Sequence, residues 1–161
     1  MTRRIASNLE ELPDQTDLLS RSGLEFMRDV INGQLAGPPI GDTLGFRPVL
    51  AEDGRVVFHG TPDFSTTNPM RGVHGGWYGA LLDSCMGCAV MTKVPRGSAY
   101  TTLEYKVNIT RAIRLGLRVQ ATGVVEHAGR STGVATGEIR GIEDGKLYAT
   151  GSTTCLIMKL R

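Results

Sequence analysis

The stretch that decides the fold runs from Asn68 to Val94 and reads NPMRGVHGGWYGALLDSCMGCAVMTKV. After Gly75 and Gly76 it holds no proline and no Lys or Arg until Lys93, and its only acidic residue is Asp83. Trp77, Tyr78, Leu81, Leu82, Cys85, Met86, Ala89, Val90 and Met91 fall on every side of a helical wheel, and a helix that is apolar all round is a buried one. The pattern predicts a core helix that begins at the glycine pair. It is shorter than the roughly 20 residues a bilayer span needs and carries an acid near its middle, which argues against a membrane helix.

An acid inside such a helix is costly unless it is partnered or functional, and burial raises a carboxyl pKa toward the range where it can exchange protons. The helix start offers a second chemical group. The first N–H groups of a helix have no internal partner and carry partial positive charge. With glycine at 75 and 76, no Cβ keeps a ligand away from them, and an oxyanion would be stabilised there. Gly75 and Asp83 are eight positions apart, or about 12 Å along one helix at 1.5 Å per residue. Both groups must lie within about 3 Å of one reacting carbonyl or its water. One helix cannot do that. Two copies packed antiparallel about a two-fold axis would set Asp83 of one opposite Gly75 of the other. Catalysis at this stretch therefore predicts an obligate homodimer.

Asn68 stands six residues ahead of His74, His74-Gly75-Gly76 opens the helix, and Asp83 lies nine residues after the histidine, with Thr102-Leu103-Glu104 on a following strand. This spaced set resembles the hot-dog-fold acyl-CoA thioesterases of the phenylacetate-degradation (PaaI-like) group, over roughly residues 38 to 158. The resemblance implies an α+β hot-dog fold, in which a curved antiparallel β-sheet wraps around one long central helix. It implies hydrolysis of an acyl-CoA thioester, aryl or alkyl, in a homodimer that itself pairs as a dimer of dimers. In such enzymes Asp83 would attack or activate water, and the Gly75 N–H would hold the carbonyl oxygen. Gly76 would flank that site, His74 would shape the turn, and Asn68 and Thr102 would orient the reacting groups. Trp77, with Tyr78, Phe64 and Tyr100, could line an aromatic pocket, or each could be core. Arg111 and Arg130, among the strand-end cations, would meet the nucleotide phosphates or simply face water. The position one turn after the acid carries a hydroxyl in a related branch, but here it is Gly87. Two other readings compete: a hydratase or dehydratase on the same fold, and a non-catalytic acyl-CoA-binding protein.

Composition agrees with one domain. The chain has 161 residues, 21 of them glycine, and a formal charge of +2. That charge is too weak to argue for nucleic acid, and no basic block supports it. Three cysteines do not make a secreted disulfide framework. Cys85 and Cys88 form C-x-x-C in mid-helix, where packing is the simple reading, and the three histidines have no metal spacing. No metal and no separate cofactor are expected, coenzyme A being part of the substrate. The amino-terminal segment has mixed charge and no apolar leader core, which reads as cytoplasmic.

Along the chain, residues 1–37 read as an extension with one helix and 38–161 as the hot-dog domain. Residues 1 to about 21 show no clear period. Ser22-Gly23-Leu24-Glu25 is a capping box, and Leu24, Met27, Val30, Ile31 and Leu35 share one helical face from about 23 to 34. Glu52-Asp53-Gly54-Arg55 marks a hairpin between strands 46–51 and 55–61. From Thr101 to Arg111, Leu103, Tyr105, Val107 and Ile109 alternate with Thr102, Glu104, Lys106 and Asn108, a half-buried strand. Strands follow at about 117–127, 130–141 and 147–159, which with the preceding one suggests a four-stranded meander.

Overall fold

The computed structural model describes residues 4–160. The central helix, α4, spans Gly75–Met91, and eleven of its 17 residues are buried. It starts and stops where the sequence requires. His74 caps the first turn, and Thr92 ends the helix ahead of Val94-Pro95. Leu81, Leu82, Met86 and Val90 are fully shielded from solvent, and burying side chains of this size contributes about 1.5–3 kcal/mol each. This helix is the centre of the core.

Six strands wrap it: β1 (Phe46–Glu52), β2 (Arg55–Gly60), β3 (Ser98–Ile109), β4 (Val119–Ala128), β5 (Thr132–Gly141) and β6 (Leu147–Lys159). All neighbours are antiparallel, and the order across the sheet is β1-β2-β4-β5-β6-β3. The expected hairpin is present, with Gly54 at φ +77 in its turn. The expected meander is only partly so. β4, β5 and β6 follow one another, but β3 crosses to the far edge and pairs with β6. That placement lets β3 lie beside α4 along one margin and leaves its other margin unpaired.

A curved sheet reaches a helix closely only where side chains give way. At Gly137 of β5, an added Cβ would stand 2.8 Å from Met86 Cγ, closer than packed carbon atoms come. The glycine content expresses this contact between sheet and helix.

The alternation read for β3 breaks at one place. Thr102 pairs with Cys155, while Glu104 pairs with the adjacent Thr154, so Leu103 is an extra residue in a β-bulge. A bulge shifts the side-chain phase by one. Thr102 therefore joins Tyr105 and Ile109 on the face toward α4, and Leu103 turns outward, 59% exposed. The strand is also less covered than a half-buried strand, since Tyr105 and Ile109 remain 47% and 49% exposed.

The amino-terminal part holds more structure than one helix. A short helix, α1 (Gln15–Ser20), has its own capping box from Asp14 and Asp17, and α2 (Gly23–Ile31) has the expected Ser22–Glu25 box. α2 ends three residues earlier than its apolar face suggests, because Asn32 caps it and Gly33 turns at φ +77. A one-and-a-half-turn helix, α3 (Ile40–Leu44), then leads into β1. The Gly23 N–H donates to the Val94 carbonyl at 2.9 Å, which ties the start of α2 to the end of α4.

Candidate active site

The loop before α4 is built by Asn68. Its side-chain oxygen accepts from the Met70 and Gly72 N–H groups, at 2.9 and 3.1 Å, and its own N–H donates to the Gly72 carbonyl. This is an Asx-type turn, and it holds Arg71 at φ +63. Among the described residues, the amide nitrogen of the Asn68 side chain has no acceptor and is left for other partners.

His74 then locks the helix tip. Its backbone N–H donates to Thr66 O at 2.8 Å, and its Nδ1 accepts from the Gly76 N–H at 2.9 Å. Acceptance at Nδ1 puts the proton of the neutral ring on Nε2. The Gly76 donor is thus already engaged. The Gly75 N–H donates to no acceptor among the described residues and lies at the exposed tip. Of the two glycine donors open on sequence grounds, only this one is available.

Asp83 is half-buried rather than sealed in the core. Ala80, Asp83, Ser84 and Cys88 form a single stripe of α4 that the sheet does not cover, which is why an ionisable group is tolerated in a helix otherwise apolar all round. Thr102 donates from Oγ1 to Asp83 Oδ1 at 2.9 Å. The bulge at Leu103 is what aims that hydroxyl at the helix.

The stripe faces a cavity of about 460 Å³. Asp83, Ser84, Cys88 and Tyr100 supply its polar edge, and α2 closes the opposite wall with Phe26, Met27, Val30 and Ile31. Met27, Val30 and Ile31 could be read from the sequence as the apolar face of α2 but not as a cavity wall, and Phe26 lies outside that face's reading. Gly87 has a structural cause. A Cβ there would come within 2.9 Å of the Tyr100 hydroxyl, so the ring occupies the place of the missing side chain. Desolvation pushes the Cys88 thiol up to about 12 and raises the Tyr100 phenol well above its ordinary range.

Other candidates lie elsewhere. Trp77 is 2% exposed and donates from Nε1 to the Leu44 carbonyl at 2.7 Å. Tyr78 is equally buried and accepts from the Ile113 N–H. Both are core residues with satisfied polar atoms, away from the cavity, and Phe64 is 83% exposed on the loop. Of the four aromatic residues weighed for a pocket, Tyr100 alone lines this one. Arg111 follows the Ile109 end of β3, while Arg130 sits in the β4–β5 turn, beside the Thr132–Leu156 pair that faces Thr101. About 26 Å of strand separates those two ends at 3.3 Å per residue. One chain does not bring them together. Among the described residues no group of three His, Cys, Asp or Glu side chains is placed to hold a metal ion.

A wrapped central helix with an open N–H at its tip and a hydroxyl-held carboxylate midway along it is the frame of a thioester hydrolase. The sequence profile of the thioesterase superfamily matches residues 71–148. Among solved structures, the chain is similar to a phenylacetic acid degradation-related protein from Ralstonia eutropha JMP134. The two are 26% identical over 81% of this chain and 98% of that one, with a TM-score of 0.74. It is also similar to the conserved protein PA5202 from Pseudomonas aeruginosa, with 30% identity, 74% and 93% coverage and a TM-score of 0.69. A third is a hypothetical thioesterase from Streptococcus pneumoniae TIGR4 whose crystals contain coenzyme A, with 25% identity, 76% and 92% coverage and a TM-score of 0.67. Comparison with curated proteins gives no match. The chain belongs to the thioesterase superfamily, as a hot-dog-fold member of the phenylacetate-degradation type.

Proposed function

We propose that the chain hydrolyses acyl-CoA thioesters at sites shared between two copies. The observation that carries this reading is the half-buried Asp83, held by Thr102 and opening on an apolar cavity, about 12 Å along α4 from the open Gly75 N–H. The distance is too long for one chain and suits two antiparallel chains. The unpaired margin of β3, with Tyr105 and Ile109 exposed beside the first half of α4, is the surface such a pairing would cover.

In this reading the thioester carbonyl oxygen accepts from the N–H of the partner subunit's Gly75. Asp83 either takes a proton from the attacking water or itself adds to the carbonyl carbon. In both routes the C–S bond breaks as the tetrahedral intermediate collapses, and the coenzyme A thiolate leaves and is protonated; in the second route the acyl group stays on Asp83 as a mixed anhydride, which water then cleaves to the free acid and the carboxylate. His74 and Gly76 hold the tip in shape, Thr102 orients the carboxylate, and the free amide nitrogen of Asn68 orients water. Trp77 anchors the helix start from the core. Arg111 and Arg130 can serve one nucleotide only from different copies, given their separation. The reading extends to a dimer of dimers in the cytoplasm; among the described residues no helix is long and apolar enough to cross a membrane. The coenzyme A in the Streptococcus pneumoniae structure supports the substrate class.

A hydratase needs a histidine free to move protons beside the acyl chain, and the engagement of His74 Nδ1 with Gly76 disfavours it. The test is a panel of aryl- and alkyl-CoA thioesters assayed for free thiol. Thiol release that is lost in a folded Asp83→Asn variant supports the proposal; full activity in that variant, or binding without turnover across the panel, refutes it.

A further inference from the structure

We infer that the cavity between α2 and α4 is the acyl subsite, and that the amino-terminal helices select a long apolar acyl group over a short or single-ring one. The inference rests on the thioesterase reading and deepens it. The superfamily match begins at residue 71, so the α2 wall lies outside the matched residues.

Three observations carry the assignment. The cavity meets the reacting end of the site, because Asp83 lies on its rim. From there it runs along the uncovered stripe of α4, past Ser84 and Cys88 to Met91. Asp83 to Met91 is eight residues, or about 12 Å. With C–C bonds of about 1.5 Å advancing roughly 1.25 Å per carbon in an extended chain, that run accepts about eight to ten carbons. The chemistry of the walls also fits. Beyond the polar edge, the lining is apolar, with Phe26, Met27, Val30 and Ile31 opposite Met91 and Ala99. Among the described residues, no polar or charged side chain lines the cavity beyond that edge. A phenylacetyl group, about 6 Å from carbonyl carbon to ring tip, would leave about half of the run unfilled and forfeit those contacts. Finally, α2 is docked and not loosely laid on. Its capping box, its Gly23 hydrogen bond to Val94, and the Arg28 Nε donation to Ala51 O at 3.3 Å place the wall.

The experiment is a profile of kcat/KM for straight-chain acyl-CoA esters from acetyl to palmitoyl, read by thiol release. The value of kcat/KM should rise by up to about fourfold per added methylene, the value of burying one CH2, to a maximum near eight to ten carbons. Val30→Trp fills the far wall and moves the maximum to shorter chains. Losing room for two methylenes lowers decanoyl-CoA turnover by about fifteenfold, while acetyl-CoA, which reaches only the rim, changes less than about threefold. Phe26→Ala enlarges the same wall and moves the maximum the other way, so the idea is still tested if one variant fails to fold. Thiol release with a flat profile, or with a profile that neither variant moves, overturns the assignment while the thioesterase reading stands. If no ester releases thiol, that reading has failed. Calorimetry with decyl-CoA thioether, which cannot be hydrolysed, then decides the subsite alone: binding weakened about fifteenfold by Val30→Trp upholds it, and unaltered binding overturns it.

Discussion

Replacing Thr102 by valine removes one hydrogen bond and little else. Valine keeps the β-branched shape that suits a strand, and the lost bond is the 2.9 Å donation to Asp83 Oδ1. A hydrogen bond to a charged group is worth about 1.5–3 kcal/mol. Both partners are only half-buried, so the lower end applies. If the bond positions the carboxylate for attack, its loss of about 1.4 kcal/mol at the transition state slows turnover about tenfold. Thr102→Ser retains the hydroxyl and should lose less than about threefold on the same scale. The assay is thiol release from one good acyl-CoA ester at saturation and well below KM, with thermal melts to show that both variants fold. The fall should be in kcat, because Thr102 acts on the acid and does not grip the substrate. Unchanged kcat in Thr102→Val, or an equal loss in Thr102→Ser, would show that the bond is structural only.

Two further outcomes follow from packing and ionisation. Gly137→Ala puts a Cβ 2.8 Å from Met86 Cγ, an overpacking that costs about 1–3 kcal/mol. The melting temperature should drop by roughly 2–4 °C per kcal/mol for a chain of this size, and an unchanged melt would mean that the sheet yields. The thiols of Cys85, Cys88 and Cys155 are all raised, chiefly by desolvation, Cys88 to about 12. Unfolded thiols ionise near 8.5, so between about 8.5 and 12 the unfolded state binds fewer protons and stability falls as pH rises. Chemical denaturation at pH 7 and pH 10 should show this loss, with a smaller slope in Cys88→Ala.

Much of the fold was legible because its signals are local. The Ser22–Glu25 box, the Asp53-Gly54 turn and both ends of α4 depend on residues within a few positions of one another. The bulge at Leu103 was not legible, since an extra residue is defined only by its partner strand, and no local signal marks Thr102 as sharing a face with Tyr105. The crossing of β3 to the sheet edge likewise depends on pairing with β6, some fifty residues away. At the site, the spacing of Asn68, His74, Gly75 and Asp83 could be read directly. What could not be read was which glycine donor is free, because that turns on the rotamer of His74, or that Asp83 is half-open, because that turns on what the sheet leaves uncovered. The α2 wall was hidden for the same reason: an amphipathic face announces that it is covered, not that it is covered with a gap.

Antiparallel pairing of two chains is tested most directly by mixing dead partners. Asp83→Asn removes the acid, and Gly75→Val blocks the helix tip where a Cβ has room, its nearest neighbour Ile109 Cδ1 being 3.7 Å away. Each variant alone should be inactive. Refolded together in equal amounts, half of the dimers are mixed and each has one intact site of two, so about one quarter of wild-type thiol release should return. Properly folded mixed dimers that remain as inactive as either parent would contradict a site built from two chains.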